Sequence, residues 1–240
     1  GSMTLHTAGV LLTAPPLPAN EARALLALVL RTSREYLIAH PELLVSPPAQ
    51  QAYEALVARP DVDVVYVATH PQHHRAHAEL AIAAGKHVVT ANKALLAVHG
   101  TEIFAAASAK GVMVAFEAAV AGGIPIIKAL REGLTANSIQ WVAGIINGTT
   151  NFILSEMRDK GLDFAVVLKE AQRLGYAEAD PTFDIEGVDA AHKVTLMSAI
   201  AFGIPVQFDK AYVEGITQLG AADIKYAEQL GYRIKLLGIT

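Results

Sequence analysis

Apolar residues recur along this chain with two periods. The run Val62 to Ala68 is short and rich in β-branched side chains, ends at Thr69, and is followed from His70-Pro71 to Gly85 by a helical period; it predicts strand, loop and helix. Lys86 to Thr90 predicts a second strand, the segment through Ala109 a second helix, and Gly111 to Phe116 a third strand. Strands alternating with helices of about a dozen residues predict an α/β domain with a doubly wound, Rossmann-like parallel sheet. Upstream, Ser46-Pro47-Pro48 offers an N-cap and first-turn prolines to a helix over 49–58. Gly9 to Thr13 predicts an opening strand and 20–38 a long helix, but their link is Ala14-Pro15-Pro16-Leu17-Pro18, which is not a phosphate loop.

After Phe116 the pattern changes. Residues 139–146 predict a strand, 151–159 and 162–174 helices, and 187–202 a longer helix, which suits a mixed α+β domain. The chain therefore divides into an N-terminally atypical Rossmann-like domain over 4–116 and a mixed α+β domain over 117–240. Residues 232–239 predict a strand that meets the chain end with no turn signal, so the second domain is expected to be incomplete and the natural chain to continue past Thr240. No repeat or low-complexity segment is found. Gly1-Ser2-Met3 reads as a tag-removal scar.

Composition narrows the chemistry. A net charge of −4 gives no electrostatic reason to bind nucleic acid or an anionic membrane, which leaves small-molecule chemistry. With no cysteine there is no disulfide, thiolate metal site or cysteine nucleophile, and a cytoplasmic setting is expected. No apolar run reaches the ~18 residues of a membrane span.

The densest chemical signal is Gly175 to Lys193, which holds Glu178, Asp180, Asp184, Glu186, Asp189 and Lys193. A solvated acidic loop with an ordinary Asp189 and Lys193 pair one helical turn apart is the bland reading. Against it, Val188, Ala190, Ala191, Val194, Leu196, Met197, Ala199, Ile200 and Ala201 make the helix apolar on nearly every side, so the pair is expected to be buried. A lysine out of water needs a partner and becomes useful for proton transfer, which makes Lys193 a candidate acid/base and Asp189 the group that orients it. Lys93 follows a parallel strand, at the edge where doubly wound sheets bind ligands, and equally fits a surface lysine in a loop. Asn147 to Asn151 opens a helix and reads either as an anion grip or as an N-cap. His70, His73, His74 and His77 have metal-ligand spacing without an acidic or cysteine partner, so they read rather as residues lining a cofactor-side loop or facing solvent. Glu117 precedes the flexible turn Val120 to Pro125, which can offer carbonyl oxygens to a cation or merely end a strand.

Four segments in this order and spacing, Thr90 to Ala97, Phe116 to Pro125, Asn147 to Leu154 and Gly175 to Lys193, together resemble the homoserine dehydrogenase family across residues 60–240. The resemblance implies reversible NAD- or NADP-dependent reduction of L-aspartate 4-semialdehyde to L-homoserine, in threonine and methionine biosynthesis, by a homodimer in which 4–116 is the nucleotide-binding domain and 117–240 the catalytic and dimerisation domain. It places Lys93, Lys193 and Asp189 in catalysis. Glu178, Asp184, Gly148 and Thr149 fall on the substrate, Thr69, Asn92 and Lys93 on the cofactor side, and Glu117 with the carbonyls of Val120, Gly122 and Ile124 around a sodium or potassium ion. The sequence departs from the family at the dinucleotide loop: no two of its 18 glycines are separated by a single residue, so no G-x-G-x-x-G exists. Two alternatives follow. One is a non-catalytic or inactive substrate-binding fragment of the same family. The other is a sugar-type NAD(P) oxidoreductase, suggested by Val65 to Pro71 with His73 and by Ala83 to Val88, and opposed by Thr90-Ala91-Asn92-Lys93 where that family carries Glu-Lys-Pro. No separate regulatory domain is expected within these 240 residues.

Overall fold

The computed structural model describes residues 10–11, 53–69 and 71–240, and divides into two compact units, Gly1–Pro125 and Ile126–Thr240. The expected helix over 20–38, the Ala14 to Pro18 link and His70 lie outside the described residues.

In the first unit a four-stranded sheet runs in the order β1 (Val10–Leu11), β2 (Val64–Val67), β3 (His87–Thr90), β4 (Val114–Ala115). Strands β2 and β3 pair in parallel from Val64 opposite His87 to Val67 opposite Thr90, and β3 pairs in parallel with β4. Helix α1 (Pro71–Ala83) connects the first pair and α2 (Lys93–Lys110) the second, the βαβ pattern read from the sequence. Val65, Val67 and Val88 are fully buried, while Val64 and Tyr66 on the opposite face are half-buried. The opening strand β1, whose direction the sequence leaves open, runs antiparallel to β2, with Val10 opposite Val67. Among the described residues it has a single neighbour, and an edge strand on a parallel sheet is free to take either direction. Upstream of β2, residues 53–57 are helical, and Tyr53 is buried.

The second unit is mostly helical. A two-stranded antiparallel sheet, β5 (Ala143–Gly144) with β6 (Gly238–Ile239), joins α3 (Gly148–Lys160), α4 (Phe164–Arg173), the one-turn α5 (Thr182–Ile185), α6 (Val188–Phe202) and α7 (Ala221–Gln229). Ile153, Leu154 and Met157 of α3 pack with Val167 and Ala171 of α4, and Ile185, Ile216 and Ile224 complete this core. The strands expected over 139–146 and 232–239 shrink to two residues each, because a ladder forms only where Ala143 meets Ile239 and Gly144 meets Gly238.

Candidate functional site

In the second unit, a loop and two helices converge on Asn147. The residue ends the extended segment after β5 and N-caps α3, its Oδ1 accepting from the Thr150 N–H at 2.9 Å and the Thr150 hydroxyl at 2.7 Å. Its Nδ2 donates to Asp184 Oδ1 on α5 at 2.7 Å and to Asp189 Oδ2 on α6 at 2.8 Å. One amide thus holds two carboxylates from different elements.

Lys193 lies one turn after Asp189 on α6, and its Nζ reaches the same Asp189 Oδ2 at 2.6 Å while donating to the Ile146 carbonyl at 2.8 Å. The pair is largely out of water, the lysine side chain 17% exposed and the aspartate 4%. Burial of residues 189–192 and 194–197 matches the apolar pattern, although the last turn, 198–202, is half-buried. An ammonium has three N–H donors. Two are engaged here, and the third meets no partner among the described residues. The arrangement presents one N–H, backed by a carboxylate, to an oxygen brought from outside.

Other sequence-derived candidates occupy different surroundings. Gly148 is the first residue of α3, and the Thr149 hydroxyl donates to the Tyr176 carbonyl at 2.9 Å, tying the helix start to the acidic loop. Glu178 is exposed, its loop held by Gln172 Nε2 donating to the carbonyls of Glu178 and Ala179, and no hydrogen bond joins its carboxylate to the Lys193 cluster among the described residues. Asn151 donates to the Leu236 carbonyl and accepts its N–H, pinning the segment before β6 to α3.

In the first unit, Thr69 is buried just past β2, Asn92 N-caps α2 by accepting from the Leu95 N–H at 3.0 Å, and Lys93 is the half-buried first residue of that helix. All three sit at the carboxyl edge of parallel strands, where doubly wound sheets receive nucleotides. Glu117 opens a 3-10 turn that leads through buried Val120 to exposed Gly122 and Ile124. Ala121 (φ 58°) and Gly122 (φ 57°) are consecutive left-handed residues, and Ala121 takes this conformation despite its Cβ. Among the described residues, no group of three or more His, Asp or Glu side chains could hold a metal ion, so a cation at this turn would rely on backbone oxygens.

The sequence marks Asn147 as part of an anion grip or an N-cap and His74 and His77 as lining a cofactor-side loop or facing solvent, and it carries no signal for the Ile146 carbonyl. A local signal existed for Asn147 as an N-cap, but its reach to two carboxylates depends on tertiary contacts.

The first unit has the sheet edge at which doubly wound folds bind nucleotides, and the largely helical second unit carries a buried lysine–aspartate pair. The model for the homoserine dehydrogenase NAD-binding domain matches residues 17–117, and the homoserine dehydrogenase model matches residues 125–240. The chain belongs to the homoserine dehydrogenase family. It is 74% identical over 160 residues to homoserine dehydrogenase of Pseudomonas aeruginosa, covering 67% of this chain and 37% of that one. With the Corynebacterium glutamicum enzyme it shares 52% identity over 200 residues, covering 83% and 44%. A crystal structure of a homoserine dehydrogenase from Thiobacillus denitrificans superposes with a TM-score of 0.74 at 70% identity, over 78% of this chain and 44% of that one. A hyperthermophilic archaeal homoserine dehydrogenase in complex with NADPH gives a TM-score of 0.62 at 28% identity, covering 70% and 51%. The chain spans about two fifths of the length of the curated relatives it matches. No helix among the described residues is long and apolar enough to cross a membrane.

Proposed function

We propose that this chain carries homoserine dehydrogenase chemistry: reversible NAD(P)-dependent reduction of L-aspartate 4-semialdehyde to L-homoserine, on the route to threonine and methionine. The observation that carries the reading is the Asp189-backed Lys193 ammonium, with one N–H left for an incoming oxygen. In this reading residues 4–116 hold the dinucleotide at Thr69, Asn92 and Lys93, and residues 117–240 hold the substrate. The bound dinucleotide supplies the hydride to the aldehyde carbon, or takes it back in the oxidative direction.

The chain's own groups do the rest. As the carbonyl carbon gains hydride, its oxygen gains negative charge; Lys193 stabilises that charge and delivers the proton, and Asp189 keeps the ammonium aimed. Lys93 contributes positive charge as the second catalytic lysine. Glu178 receives the substrate ammonium, with Asp184 in the same acidic set, while Gly148 and Thr149 at the start of α3 receive the carboxylate. The carboxylate of Glu117 and the carbonyls of Val120, Gly122 and Ile124 form a hard-oxygen set suited to a structural sodium or potassium ion. The relative named for its NADPH complex supports NADP as one of the two cofactors. A cytoplasmic homodimer completes the reading.

The test follows NAD(P)H absorbance during L-homoserine oxidation with each cofactor in turn, for the chain and for Lys193→Ala. Turnover that Lys193→Ala abolishes supports the enzyme reading. No turnover, with homoserine still raising the melting temperature of the unsubstituted chain but not of Lys193→Ala, replaces it with that of a substrate-binding fragment.

A further inference from the structure

The proposed chemistry makes no use of the histidines on α1, yet two of them sit at its cofactor edge. His74 and His77 are 8% and 4% exposed, and both are bonded to Thr69 at the carboxyl end of β2. The geometry fixes the role of each atom of His74. Asn92 Oδ1 accepts from the Leu95 N–H, which sets the orientation of the amide and turns Nδ2 toward His74. Nδ2 lies 2.9 Å from His74 Nδ1, and an amide nitrogen can only donate. Nδ1 therefore accepts, the ring proton belongs on Nε2, and Nε2 donates to the Thr69 carbonyl. A single neutral ring so links the end of β2 to the residue that opens α2 after β3.

His77 acts on the same residue from the next turn. Its Nδ1 is 2.9 Å from the Thr69 hydroxyl, its carbonyl accepts from the Tyr53 hydroxyl, and its ring lies 4.2 Å from that of Tyr53. Burial lowers the His77 pKa from its ordinary value and so favours the neutral ring near pH 7.

We propose that His74 and His77 are a two-histidine clamp that fixes Thr69 and Asn92 at the dinucleotide edge, acting as positioning residues for the cofactor. The clamp rests on the reading that this edge receives NAD(P). A rigid edge lowers the ordering cost of binding, so loosening it weakens dinucleotide affinity.

Two readouts on the whole chain test this. Long-range 1H–15N spectra of 15N-histidine-labelled protein at pH 7 identify the ring tautomer of His74; the Nε2–H form is expected. NADPH fluorescence titration compares the unsubstituted chain with His74→Leu and His74→Gln, each checked by thermal melting. His74→Leu removes both hydrogen bonds and is expected to raise Kd about tenfold or more. His74→Gln offers one acceptor and one donor, and is expected to bind within about threefold of the unsubstituted chain. An Nδ1–H or doubly protonated His74 overturns the clamp, as does a folded His74→Leu with unchanged Kd, or a folded His74→Gln as weak as His74→Leu. If His74→Leu fails to fold, the ring spectrum and the glutamine variant decide. An unsubstituted chain that shows the Nε2–H tautomer yet binds neither NADPH nor NADH overturns the cofactor reading of this edge and leaves the clamp standing as structure alone.

Discussion

Asn147 uses both amide hydrogens and both oxygen lone pairs: two bonds to Asp184 and Asp189, two from Thr150. It is buried, so removing the amide strands polar groups that water cannot easily reach. Asn147→Leu is expected to lower stability by about 2–4 kcal/mol, the sum of a lost N-cap and unsatisfied buried partners. Urea unfolding measures it, and a loss under about 1 kcal/mol would mean that the network relaxes without cost. His77 gives a pH dependence whose sign follows from its lowered pKa. The unfolded ring titrates near 6.5 and the folded ring below it, so from 6.5 downward the unfolded chain binds more protons. Its stabilising contribution is complete above 6.5 and is lost as pH falls through the folded value. The melting temperature of the unsubstituted chain should therefore drop more steeply on acidification below pH 6.5 than that of His77→Asn. Parallel profiles would show that the ring is not held neutral.

At the level of elements, α6 is fixed at its start by Gly187, whose φ of 82° favours glycine and whose added Cβ would lie 2.8 Å from the Glu214 carbonyl oxygen. Gly161 after α3 has a φ of 64° but open space around it. Gly161→Ala should cost only the left-handed backbone term, about 1–2 kcal/mol, whereas Gly187→Ala should cost roughly 1–3 kcal/mol more from the clash. Equal denaturation midpoints for the two variants would refute the close approach. The sequence made such helices legible: the 3.6 period and flanking glycines placed α6 over 187–202 against an observed Val188–Phe202. Strands were less legible, because the β-branched and aromatic residues of 139–146 lie on either side of Ala143–Gly144, the two residues that find a partner. The direction of β1 could not be read either, since Val10 and Leu11 suit a parallel or an antiparallel neighbour equally. At the site, the apolar surroundings of Lys193 announced a buried pair. The bonds of Asn147 to Asp189 and of Lys193 to the Ile146 carbonyl stayed hidden, because they span 42 and 47 residues.

For the whole molecule, the two units make separable predictions about what each ligand touches. The parallel sheet places Thr69 and Asn92 in the segments after β2 and β3 and Lys93 at the start of α2, and the lysine–aspartate pair sits on α6 of the second unit. If the proposed division of labour holds, NADPH should slow amide hydrogen exchange around residues 68–71 and 91–95, and L-homoserine should slow it around 146–151 and 176–193. Local opening of loops lies at the low end of the stability range, so even weak ligands register there. Mass-spectrometric exchange on the whole chain with each ligand alone reads the two maps independently of turnover. This matters because the chain spans about two fifths of the length of its curated relatives, and binding can persist where a complete reaction cycle does not. Protection by homoserine that disappears in Lys193→Ala while NADPH protection persists would assign the substrate to the second unit. Homoserine protection confined to 68–95 would reverse the assignment, and with it the role given to Lys193.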